Sequence, residues 1–145
     1  MLFRKCHPEH VLLIEAQASQ RSQFAASLGP ALGSIATEGE AYSGWHDHRC
    51  LMAGGVAPKW RGVGVGWTLL SEACGPHMLA ITRKTRAVVR GSGYRRVEFY
   101  VLAGFEAGHR WARQLGFTKE ADCMRGFCPD GRDMALYAYT GALDG

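Results

Sequence analysis

"VAPKWRGVGVGWTLLSEACGPHMLAITRKTRAVV", residues 56–89, holds two places where a phosphate group could sit. The first is the glycine-rich run Arg61 to Gly66. The second is Gly75-Pro76, which opens a helical pattern. A helix beginning at Trp67 would carry Pro76 in its interior, where proline costs about 3 kcal/mol. The chain from there to the next strand pattern, near Val97, is also too long for one ordinary helix. A short strand at Trp67 to Ser71 removes both difficulties. The expectation is therefore that "RGVGVG" is a flexible connection entering a fourth strand. The helix then starts at Gly75-Pro76, with proline in its first turn.

Downstream, Met78, Ile81, Thr82, Thr85, Val88 and Val89 make one apolar helix face, and Arg83, Lys84, Arg86 and Arg90 lie mostly off it. "GSG" at 91–93 ends that helix. Tyr94 to Leu102 alternates Val97, Phe99 and Val101 with Arg96, Glu98 and Tyr100, the period of a strand with one buried face. Phe105 to Leu115 reads as a helix with Gly108, Trp111, Ala112 and Leu115 on its core stripe and His109 beside it as a structural residue. Gly116 then serves as its C′ residue and Phe117 as the hydrophobic contact that follows. Thr118 to Phe127 and Arg132 to Tyr139 are two strands around the turn "CPDGR".

Upstream, Phe3 to Cys6 is a short strand, and Glu9 to Leu28 has helical periodicity stopped by Gly29-Pro30. Residues 35–45 and 49–57 read as strands around His46-Asp47-His48. The two histidines lack a third ligand nearby, so this is a turn and no metal is expected.

Strands interleaved with helices in this order imply an α/β fold: a mixed sheet flanked by helices, in one domain over 1–145. No apolar run reaches the roughly 18 residues of a membrane helix. The charged start Met1-Leu2-Phe3-Arg4-Lys5 does not read as a signal peptide. Five spread cysteines without a C-x-x-C pair suggest reduced thiols in a cytoplasmic setting. The formal net charge is +4, and Arg83, Lys84, Arg86, Arg90, Arg95 and Arg96 fall together with no acid until Glu98. Such a face suits a polyphosphate, or equally a solvated helix surface.

The element order, with "HRWARQLGF" (His109 to Phe117) leading into a hairpin, resembles the GNAT superfamily of acyl-CoA N-acyltransferases. The run from Trp67 to Tyr139 is similar to small GNAT-like proteins encoded by tailed phages. The resemblance implies an acetyl-CoA donor and an amine acceptor. It places the diphosphate of the cofactor on backbone N–H groups at the helix after the fourth strand, where orphan donors and the helix dipole favour an anion. Carried onto this chain, that site is Cys74, Gly75, His77 and Met78, with Arg83 and Lys84 further along. Glu72, at the end of the fourth strand, is the candidate base, and His77 the candidate phosphate donor or proton relay. The family's acidic tyrosine corresponds to Ala112 and its helix-opening asparagine to Phe105, neither of which can do the same chemistry. Three readings follow: an acetyl-CoA-dependent acyltransferase, cytoplasmic in the host if phage-encoded; a GNAT-shaped structural or assembly protein of a phage virion; and a nucleic-acid module on the basic face. The last lacks the interleaved aromatics that stack bases. No membrane partner is expected, and Tyr137 and Tyr139 leave a homo-oligomer open.

Overall fold

A computed structural model describes residues 1–14 and 40–141. Its elements are β1 (Leu2–Lys5), α1 (Pro8–Leu12), β2 (Glu40–His46), β3 (Arg49–Trp60), β4 (Val63–Leu70), a 3-10 turn (Glu72–His77), α2 (Met78–Gly91), β5 (Arg96–Leu102), α3 (Glu106–Gln114), β6 (Thr118–Met124) and β7 (Met134–Tyr139). They form one seven-stranded mixed sheet in the order β1-β2-β3-β4-β5-β7-β6. Every neighbouring pair is antiparallel except β4 and β5, which run parallel. The α/β reading stands. The expected helix beyond Ile14 and the start of the expected strand at 35–39 lie outside the described residues.

The fourth strand begins earlier than the glycines suggest. Arg61 and Gly62 make the hairpin turn, Gly62 at φ +79°, and Val63 to Gly66 are already strand. Val63, Val65 and Trp67 keep the strand's period of two, and the glycines between them clear space on the other face. A Cβ on Gly64 would lie 2.6 Å from Val56 Cγ1 and 2.8 Å from the Tyr94 ring, so only glycine fits there.

The main core lies between the sheet and α2 and α3. On α2, Ile81, Thr85 and Val89 form its buried stripe, four residues apart. Thr85 donates to its own helix at Ile81 O (2.8 Å) and accepts from Tyr42 on β2 (2.5 Å), pinning helix to sheet. Trp111 Nε1 donates to Thr82 Oγ1 (2.9 Å), tying α3 to α2. The α3 terminus is the Schellman cap expected at Gly116. Phe117 N–H reaches Ala112 O and Gly116 N–H reaches Arg113 O, both at 3.0 Å, with Gly116 at φ +95°. A smaller core of Cys6, Val11, Ala53, Trp67 and Leu69 covers the opposite face beneath α1.

His109 is structural, as expected. Its Nε2 faces the carbonyls of Ala103 (2.8 Å) and Leu102 (3.2 Å) and so carries the proton. Its Nδ1 then accepts from Tyr137 O–H at 2.7 Å. That bond holds Tyr137 fully inside the sheet, so it offers no surface for another copy. The "HDH" segment is a turn, with Asp47 at φ +48° and His48 at φ +63°. Among the described residues no helix is long and apolar enough to cross a membrane, and no cluster of potential metal ligands forms. All five cysteines are free.

Candidate active site

β4 and β5 pair only at Val63–Arg96, Gly64–Val97 and Val65–Glu98. Beyond that point β4 continues to Leu70 laddered to β3, and β5 to Leu102 laddered to β7. The sheet opens into a fork. Each strand turns toward the gap a backbone edge no longer laddered to the other strand, and backbone N–H and C=O groups need partners. Such an edge accepts an extended ligand in the manner of an added strand.

A cavity of about 430 Å³ occupies the fork. β4 contributes Gly66, Trp67 and Thr68 to its wall, and β5 contributes Phe99 and Tyr100. Phe105 and Trp111 come from the start and middle of α3, and Phe127, Cys128 and Pro129 from the β6–β7 loop. The wall is aromatic and apolar over most of its extent. Trp67 is 5% exposed, lines the cavity, and its Nε1 has no hydrogen-bond partner among the described residues.

The base of the fork is held by ion pairs. Glu98 is 6% exposed and takes a salt bridge from Lys59 on β3, two bonds from Arg96 (2.9 and 3.1 Å) and one from Tyr100 O–H (3.1 Å). Arg96 also grips Glu120 on β6 (2.7 and 3.0 Å). Burial works against the Glu98 charge, but the donors from Lys59, Arg96 and Tyr100 outweigh it and hold the carboxyl below its usual range. Hydrogen bonding to Glu98 holds the Lys59 ammonium above its own range. This anchored Tyr100 presents its ring to the cavity, and Phe127 stacks on it with centroids 5.2 Å apart.

The residues singled out in the sequence divide in two. Glu72, Cys74, Gly75 and Met78 line the cavity, at its α2 end. Glu72 is exposed. Cys74 is 1% exposed and donates its thiol to Leu51 O (3.1 Å), and burial pushes it up, keeping it a neutral thiol. His77, Arg83 and Lys84 are not part of the cavity wall. The His77 ring tilts against His46, with centroids 4.5 Å apart. Arg83 is exposed, and Lys84 lies over Phe3 and Tyr42 on the β1–β2 side. The helix opening at Gly75-Pro76 is in fact a 3-10 turn, with Pro76 inside it and α2 beginning at Met78.

The basic run also disperses. Arg96 is spent on Glu98 and Glu120, Arg95 on Arg61 O (2.8 Å), and Lys84 on aromatic rings. Sequence reasoning missed Lys59, the buried role of Glu98, and the Tyr100–Phe127 stack. Charge alternation on β5 was visible, but nothing local in sequence joins Lys59 to Glu98.

No family model matches the chain, and no curated protein matches it. Solved structures do. The ribosomal-protein-alanine N-acetyltransferase of Brucella melitensis superposes with a TM-score of 0.70 at 11% identity, over 97% of this chain and 99% of that one. An acetyltransferase of Bacillus subtilis in complex with CoA gives 0.66 at 12% identity, over 81% and 88%. A GNAT-family acetyltransferase of Streptococcus pneumoniae gives 0.62 at 11% identity, over 95% and 97%. At such identities the likeness establishes the fold.

Proposed function

On a fold shared with the GNAT acetyltransferases, we propose that this chain is an N-acyltransferase moving an acetyl group from acetyl-CoA to an amine. The observation that carries the reading is the fork. The β4–β5 ladder stops at Val65–Glu98 and opens on a cavity of about 430 Å³. The donor arm lies along the freed edge of β4, which supplies N–H groups toward the thioester oxygen. The amine nitrogen attacks the thioester carbonyl carbon, the C–S bond breaks, and the sulfur leaves as thiolate. Glu72, the one carboxylate among the described residues of the cavity wall, takes the amine proton directly or through water.

The position implied for an acid is Ala112, fully buried on α3. Catalysis can proceed without one. A thiol titrates near 8.5, so leaving as bare thiolate at pH 7 costs only ~2 kcal/mol. Incubation of the protein with acetyl-CoA and a panel of primary amines, followed by a thiol reagent, tests the reading. Amine-dependent thiol release supports it. No thiol release together with no binding of acetyl-CoA supports a second reading, a catalytically silent assembly protein of a tailed-phage virion. That alternative draws on the 3-10 turn at Glu72–His77, which occupies the place where a diphosphate cradle would form.

A further inference from the structure

The cavity and its mouth disagree about which part of a CoA thioester they are built for. Among the described residues that line the cavity, Glu72 alone carries a charge, and it is an acid. Three N–H groups at the α2 end already have acceptors within the turn. Ala73 N–H donates to Ser71 Oγ (3.1 Å), Cys74 N–H to Ser71 O (3.1 Å), and Met78 N–H to Gly75 O. Pro76 has none to give. A 3-10 turn spends its donors on i→i+3 bonds along its own axis, whereas an anion cradle needs them free and convergent. The cations nearest in sequence do not compensate, since Lys84 lies over Phe3 and Tyr42 and Arg83 is not part of the wall.

The fork itself is different. It offers an unladdered strand edge for amides and an apolar wall of Phe99, Trp111 and Met78 for methylene and methyl groups. Those are the two chemistries of a pantetheine arm, an extended chain with two amides ending in sulfur.

We propose that this protein recognises its acyl donor through the pantetheine arm and the acyl group, and that the nucleotide diphosphate is dispensable. The donor class is then acyl-pantetheine thioesters at large, of which acetyl-CoA is one member. This rests on the acyltransferase reading above and narrows it.

The test is calorimetric titration of the full chain with three probes: acetyl-CoA, S-acetylpantetheine, and adenosine 3′,5′-bisphosphate as the nucleotide half. S-acetylpantetheine is expected to bind within about tenfold of acetyl-CoA, a difference of one decade in Kd. Adenosine 3′,5′-bisphosphate is expected not to compete. Raising ionic strength is expected to leave the acetyl-CoA affinity nearly unchanged, because exposed charge contacts are the ones salt screens. Acetyl-CoA binding about a hundredfold tighter than S-acetylpantetheine, or displaced by the bisphosphate, overturns the proposal and leaves the acyltransferase reading standing. Binding of neither thioester overturns both.

Discussion

Val65 and Glu98 are the last residues at which β4 and β5 pair, and the cavity begins where their ladder stops. One residue further along β4, Gly66 faces open fork. Its nearest neighbours, were it to carry a Cβ, would be Glu98 O at 3.6 Å and Val97 Cγ1 at 3.7 Å, ordinary contacts. Two residues back on the same face, Gly64 meets Val56 and Tyr94 well inside contact distance.

These two glycines therefore separate packing from function. Gly64→Ala is expected to destabilise the protein by about 1–3 kcal/mol through overpacking. Gly66→Ala is expected to change stability by less than about 1 kcal/mol, since its Cβ meets Glu98, Val97 and Phe99 at ordinary contact distances. Urea midpoints of the two variants check this, and equal losses would count against the packing described for Gly64.

The ion-pair network at the base of the fork sets a pH dependence. Glu98 titrates below its usual value of 4.5 in the folded protein. Its stabilisation is present above that value and is lost as pH falls through the lower folded value. Glu98→Gln is expected to cost about 1–3 kcal/mol at pH 7, because Lys59 loses its counter-charge while Arg96 keeps Glu120. The acid limb of the wild-type stability profile should also flatten in the variant. Chemical denaturation from pH 7 to pH 3 reads both effects, and a variant with an unchanged acid limb would remove Glu98 as the group responsible.

Tyr42 and Thr85 form a buried bond between sheet and helix, and they respond unequally to loss. Tyr42→Phe leaves Thr85 still bonded to Ile81 O and is expected to cost about 1 kcal/mol. Thr85→Val leaves the Tyr42 hydroxyl, 4% exposed, without its acceptor and is expected to cost about 1–3 kcal/mol. The double variant should cost less than the sum, which a double-mutant cycle measures. Strict additivity would mean the contact contributes nothing.

Much of this fold is written locally in the sequence. The period of two at Val97, Phe99 and Val101 and the stripe at Ile81, Thr85 and Val89 are signals within one element, and both elements form. Gly116-Phe117 likewise specifies its cap through neighbours only. Three things were not legible. Val63 to Gly66 read as a connection because its glycines mask a strand, and the reason for Gly64, Val56 and Tyr94, comes from other parts of the chain. Gly75-Pro76 read as the first turn of an α-helix because proline suits the start of either helix type, and composition does not distinguish them. Glu98 read as part of a polar face, because Lys59, its salt-bridge partner, reaches it from two strands away. Of the residues singled out in the sequence, Glu72, Cys74, Gly75 and Met78 line the cavity while His77, Arg83 and Lys84 do not, and the extent of the fork and its aromatic wall follows from the strand register.

The most direct test of the fork as a donor site is calorimetric titration of acetyl-CoA into the wild type and into Gly66→Val. A Cβ there would already lie 3.7 Å from Val97 and 3.8 Å from Phe99, so the two further methyl groups of a valine narrow the slot. Saturable micromolar binding by the wild type, weakened by about a hundredfold or more in a Gly66→Val protein with an unchanged melting profile, is the expected result. Equal binding by the two proteins, or none by the wild type at millimolar ligand, would contradict it.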